Sequence, residues 1–175
     1  ESKQFLTRFE IPVPDGRLVS AAEAPAAAEE LEFPVAVKFI HKNIAHKTDL
    51  GALHLSLMTK DEVSGAVADI TERIGISDGK FLIEQMITPV IAEVLVGVVN
   101  DDQFGHVLTI GSGGTLVELI RDTHTLLLPT TRKEIQQAIT GLRVSHLIAG
   151  YRNQTSVPLE HLVDLILRVT YLAES

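Results

Sequence analysis

Apolar positions along this chain switch between two periods. Val35, Ala36, Val37, Phe39 and Ile40 surround Lys38 in a run bounded by Pro34, which predicts a strand; Leu53, Leu55 and Leu57 then alternate with His54 and Ser56, as in a half-buried strand. The polar stretch between them makes the pair a hairpin able to cover a polyphosphate. Val63, Val67, Ile70 and Ile74 recur every three to four residues behind a capping Thr59, predicting a helix from Lys60 to about Ile74. Leu159, Leu162, Val163, Ile166 and Val169 form the same stripe behind Pro158.

Weaker signals fill the rest. Phe5, Leu6 and Phe9 predict a short helix over Ser2–Phe9, and Ser20 with Glu23 is a capping-box pattern before an alanine-rich helix to about Leu31, its regular part starting at Pro25. Thr131 opens a helix to about Leu142, and Ser145–Ala149 a further short turn. Strands are expected over Phe81–Ile87, Ile91–Val99, His106–Ile110, Leu116–Ile120 and Thr125–Leu128, with a break at Thr88-Pro89. The expected fold is α+β, with two lobes, 1–88 and 89–175, each built on largely antiparallel strands with flanking helices.

Composition narrows the function. The 175 residues are 45% hydrophobic, enough for a real core in one domain or two small lobes. Without cysteine there is no disulfide framework, zinc–thiolate site or cysteine nucleophile. A formal charge of −8 argues against general nucleic-acid binding, while a few local Lys, His and backbone N–H groups suffice for a nucleotide. No signal peptide or long apolar run is visible, so no membrane partner is expected and the cytoplasm is the default location. The chain starts at Glu1 without Met and is read as an excised domain.

Lys38 sits in an apolar run, where an unpaired buried ammonium is costly; phosphate is one natural partner. The alternative is a lysine turned to water while Val35, Val37 and Phe39 point inward. Loop residues His46, Lys47, Asp49 and Gly51 tip the balance to a phosphate site. His46 can attack a phosphoryl group and hold it as phosphohistidine, with Lys47 neutralising charge and Gly51 allowing close approach; otherwise it is a solvated loop residue. His41 and His54 are read as solvated, and no third or fourth ligand makes a metal site of His41 and His46.

The segment Pro34-Val35-Ala36-Val37-Lys38 followed by His46-Lys47-Thr48-Asp49-Leu50-Gly51 resembles the ATP-grasp domain of NDP-forming acyl-CoA synthetases. That family includes ADP-forming acetate–CoA ligases and protein lysine acetyltransferases with a synthetase-like region. The resemblance spans nearly the whole chain and implies an ATP-grasp fold. It also implies acid + CoA + ATP giving acyl-CoA + ADP + phosphate, with His46 relaying phosphate toward a second histidine on another domain. ATP and Mg²⁺ are then the cofactors, and CoA-binding and second-histidine domains are required partners, so this chain alone is expected to be inactive. A non-catalytic ligand-sensing domain is the alternative.

The resemblance assigns further residues. Glu84-Gln85-Met86 resembles the hinge whose backbone reads adenine, though on its own terms a strand-end Glu here is usually exposed. Gly113 and Gly114, in Gly111-Ser112-Gly113-Gly114 before Leu116-Val117-Glu118, resemble a glycine segment offering N–H groups to phosphate. Glu93, a carboxylate in an apolar run, either lines the nucleotide cleft or faces water from an edge strand. Glu118 and Asp122 suggest paired carboxylates, with a salt-bridged or solvated role favoured over Mg²⁺. Ala52 departs from the loop's second glycine, and Leu126 stands where relatives carry Arg, losing a possible phosphate contact. The metal-ligand strand is expected beyond Ser175.

Overall fold

The computed structural model describes residues 2–42, 51–76, 78–114, 117–153 and 155–175. Contacts divide the chain into two units: residues 14–88, and residues 1–13 together with 89–175. The first thirteen residues thus leave the lobe in which the sequence reading put them. Their reason is local: helix α1 (Ser2–Arg8) leads to Phe9, whose ring lies 6.2 Å from that of Tyr171, and Arg168 donates to the Glu10 carbonyl at 2.5 Å.

The unit of residues 14–88 holds an antiparallel sheet in the order β1 (Gly16–Val19), β4 (Lys80–Gln85), β2 (Val35–Ile40), β3 (Leu53–Leu57). Helices α2 (Ala24–Glu29) and α3 (Lys60–Ile74) supply Ala24, Ala28, Val63, Val67 and Ile70 to one core, with Val35, Val37, Phe39, Phe81 and Ile83 from the strands. Strand alternation therefore puts Ala36, Lys38, Leu82 and Glu84 on the opposite face. Thr59 caps α3, its hydroxyl accepting from Glu62 N–H at 3.2 Å. The Ser20–Glu23 interaction forms, at 2.6 Å between side chains, but α2 begins only at Ala24, with Pro25 in its first turn. A bulge interrupts the β2–β3 register at Ser56, which takes φ 58°.

The other unit pairs β5 (Val94–Asp101), β6 (Gly105–Ser112) and β7 (Thr123–Leu127) antiparallel in that order. Leu108 and Ile110 meet Ile135 and Ile139 of α5 (Arg132–Gly141), Ile148 of α6 (Ser145–Ile148), and Val163 and Ile166 of α7 (Leu159–Glu174). Thr131 and Glu134 close a full capping box on α5. One strand expectation fails. Residues 117–120 form a single helical turn, α4 (Val117–Ile120), and the chain re-enters the sheet only at Thr123. No helix among the described residues is long and apolar enough to cross a membrane.

The tightest packing lies at Gly79, where a Cβ would fall 1.9 Å from the Phe39 ring, itself edge-on to Phe81 at 5.2 Å. Gly79→Ala should force that ring aside and cost about 1–3 kcal/mol, read as a lower urea midpoint with an unchanged m-value.

Candidate functional site

Lys38 and Glu84 come together on the face of the first sheet turned away from α2 and α3. Glu84 lies opposite Ala36 and Lys38 opposite Leu82, so the two charged residues are diagonal neighbours on adjacent strands. The Lys38 ammonium donates to Glu84 Oε2. Side-chain exposure is 32% for Lys38 and 9% for Glu84. The partner that resolves the buried-ammonium problem is therefore a carboxylate of this chain, and Glu84 is not the exposed strand-end residue that its position suggested.

The hinge candidates are partly committed. Gln85 N–H donates to the Asp15 carbonyl and Met86 N–H to the Pro34 carbonyl, both at 2.9 Å. The Gln85 side chain donates to Glu32 at 3.1 Å, and Met86 Sδ accepts from Ser56 N–H at 3.0 Å. Neither backbone donor is available to an adenine edge.

His46 and Lys47 lie outside the described residues. Gly51, which follows them, has φ +65°, and a Cβ there would meet Arg73 Nη1 at 3.2 Å. Arg73 is tied through Asp69 to His54: Asp69 accepts from Arg73 Nε and pairs with His54 Nε2, both at 2.8 Å. The His54 bond first, then Arg73, holds the Asp69 carboxyl below its usual range. His41 is also partnered, with Nε2 3.3 Å from Asp78 and its ring stacked on Phe39. Both histidines read as solvated are paired with carboxylates. The methyl of Ala52, the departure from the loop glycine, is buried in the core.

In the other unit, Glu93, Gly113 and Gly114 converge. Glu93 precedes β5 rather than interrupting it, and its side chain is exposed. Its carbonyl accepts the Gly113 N–H at 2.7 Å, which removes that donor from any anion cradle. A Cβ on Gly113 would strike the Glu93 backbone at 2.7 Å; Gly114, at φ +97°, would meet Glu93 Oε2 at 2.9 Å. Only glycine fits either place. Ala92, Glu93, Ser112, Gly113, Arg143 and Val144 line a cavity of about 370 Å³.

Sequence reasoning missed what fastens this corner. Asp122 Oδ2 accepts from Ser112 Oγ at 2.5 Å and from Arg143 N–H at 2.7 Å, joining β6, β7 and the start of α6. Its spacing from Glu118 suggested a carboxylate pair, yet Asp122 serves as an internal acceptor. Leu126 packs against the core, paired with Leu108, so the position read as a lost phosphate contact is apolar support. No group of three or more His, Asp or Glu among the described residues could hold a metal ion.

Two units, each an antiparallel sheet with flanking helices, define a two-unit α+β class of protein. The ATP-grasp domain family model matches residues 1–175. The β subunit of the ADP-forming acetate–CoA ligase II of Pyrococcus furiosus is 33% identical over 99% of this chain and 76% of its own length. The dinucleotide-forming acetyl-coenzyme A synthetase 1 of Ca. Korarchaeum cryptofilum, solved with coenzyme A, Ca-AMPCP and HgCl⁺, aligns at TM-score 0.88 and 28% identity, covering 100% of this chain and 79% of that one. A second structure of it, with coenzyme A and Mg-AMPPCP and its phosphohistidine segment pointing towards the nucleotide binding site, aligns at TM-score 0.83 and 29% identity, covering 98% and 76%. The chain belongs to the ATP-grasp domain family. Within it, this is the ATP-grasp part of an ADP-forming acyl-CoA synthetase.

Asp122 yields a pH-dependent prediction. Its carboxyl is held below the usual aspartate range, first by the Ser112 hydroxyl and then by the Arg143 N–H. A lowered folded pKa stabilises above the unfolded value and is lost as pH falls through the folded one. Asp122→Asn should therefore cost about 1–2 kcal/mol at pH 7. In urea melts, that gap from wild type should narrow steadily below the ordinary aspartate range.

Proposed function

We propose that this chain holds ATP for an acid–CoA ligase that forms acyl-CoA, ADP and phosphate by way of phosphohistidine. The observation that carries the reading is Lys38: an ammonium fixed on the sheet face turned away from α2 and α3, with about a third of its side chain still open. A cation held so can take polyphosphate oxygens without first being ordered. The relatives' nucleotide and coenzyme A complexes support the same assignment.

In this reading Lys38 grips the phosphates, and His46 accepts a phosphoryl group and passes it to a histidine on a partner domain, with Lys47 and Gly51 shaping the loop. Gly114 offers its N–H to phosphate, while Gly113 and Glu93 hold that turn in shape through their own hydrogen bond. Adenine is seated beside residues 84–87. Because the N–H groups of Gln85 and Met86 are committed, carbonyls and the backbone from Ile87 onward do the reading. Magnesium, when bound, would bridge and neutralise phosphate charge. Among the described residues no group of three or more His, Asp or Glu could hold it. CoA-binding and second-histidine domains are the partners, and the cytoplasm the location.

Two substitutions test this in the full-length protein. Lys38→Ala should weaken MgATP binding at least about tenfold in calorimetry, the scale of one charge-assisted contact. His46→Ala should abolish ATP-dependent acyl-CoA formation while leaving MgATP affinity within about twofold. Undiminished ligation by His46→Ala would turn the assignment to a ligand-sensing domain.

A further inference from the structure

We propose that Glu84 is a positioning residue for Lys38, acting on nucleotide through that ammonium. The proposal rests on the nucleotide reading above and replaces a direct contact of Glu84 with ATP. The pair is asymmetric: the Glu84 side chain is nearly sealed, at 9% exposure, while that of Lys38 keeps 32%. A ligand arriving from solvent can touch Lys38 and has almost no access to Glu84.

Register explains how the pair is built. Ala36, directly across from Glu84, is itself buried and carries only a methyl group. Its small size leaves room beside Glu84 for the diagonal neighbour Lys38 to reach the carboxylate. Flanking strand residues Val35, Val37 and Phe39 are buried in the helix-side core, so the backbone under Lys38 is rigid. A free lysine samples many rotamers, and ordering it on binding weakens affinity; a lysine already tethered loses little more. The tether leaves about a third of the Lys38 side chain open to an incoming phosphate.

This makes a prediction opposite to simple charge counting. Removing a negative charge near a polyanion site should tighten ATP binding if Glu84 only repels phosphate. If it positions Lys38, Glu84→Gln should weaken MgATP affinity by about tenfold, with a far-ultraviolet spectrum like wild type. The double variant Lys38→Ala with Glu84→Gln should bind no more weakly than Lys38→Ala alone, because the two act as one unit. Tighter or unchanged binding by Glu84→Gln, or additive losses in the double variant, overturns the proposal. A second measurement needs no nucleotide. Acetylation of Lys38 by an N-hydroxysuccinimide ester, followed by peptide mass spectrometry, should speed up severalfold in Glu84→Gln; an unchanged rate overturns the tether. Lys38→Ala binding MgATP as wild type does would overturn the nucleotide reading, and the acetylation rate would then judge the tether alone.

Discussion

The constraint on which the first unit depends is the two-residue period of a strand paired on both sides. β2 runs between β3 and β4, so its hydrogen bonds are spent laterally and its side chains have only two directions. Val35, Val37 and Phe39 are drawn under α2 and α3 by apolar burial, and Lys38 is thereby assigned to the other face. The same alternation on β4 sends Ile83 and Phe81 to the core and Glu84 to the face of Lys38. A one-residue slip of β2 would bury the lysine under the helices, and one of β4 would bury Glu84 there.

Charge on that face then follows a desolvation argument. A carboxylate almost out of water is costly without a partner, and the Lys38 ammonium supplies one. Such pairs contribute little net stability over an apolar alternative, so their presence points to a use for an ordered cation. The use proposed for it here is phosphate.

The second unit handles its polar groups differently. The glycine turn after β6 is held by its own backbone bond to Glu93 and by Asp122, which gathers a hydroxyl and an N–H from separate elements. Glycine at 113 and 114 answers to the nearness of Glu93 as much as to any ligand. A glycine-rich stretch in a sequence thus cannot say whether its donors face a phosphate or the protein itself. Here one of them faces the protein.

Periodicity and capping alone determined most of the elements. The α3 and α7 stripes, the Thr59 and Thr131 caps and the β2 and β3 runs are local signals, and each forms as they dictate. The resemblance carried by residues 34–51 led to the family. Only tertiary structure decided the rest, because pairing between distant residues has no local signature. It joined Lys38 to Glu84 across 46 positions and His54 to Asp69 across 15. It also turned Leu126 into core, folded 117–120 as a helical turn and moved the first thirteen residues to the other unit. Side-chain type says what chemistry a residue can do; register and burial decide which partner it meets.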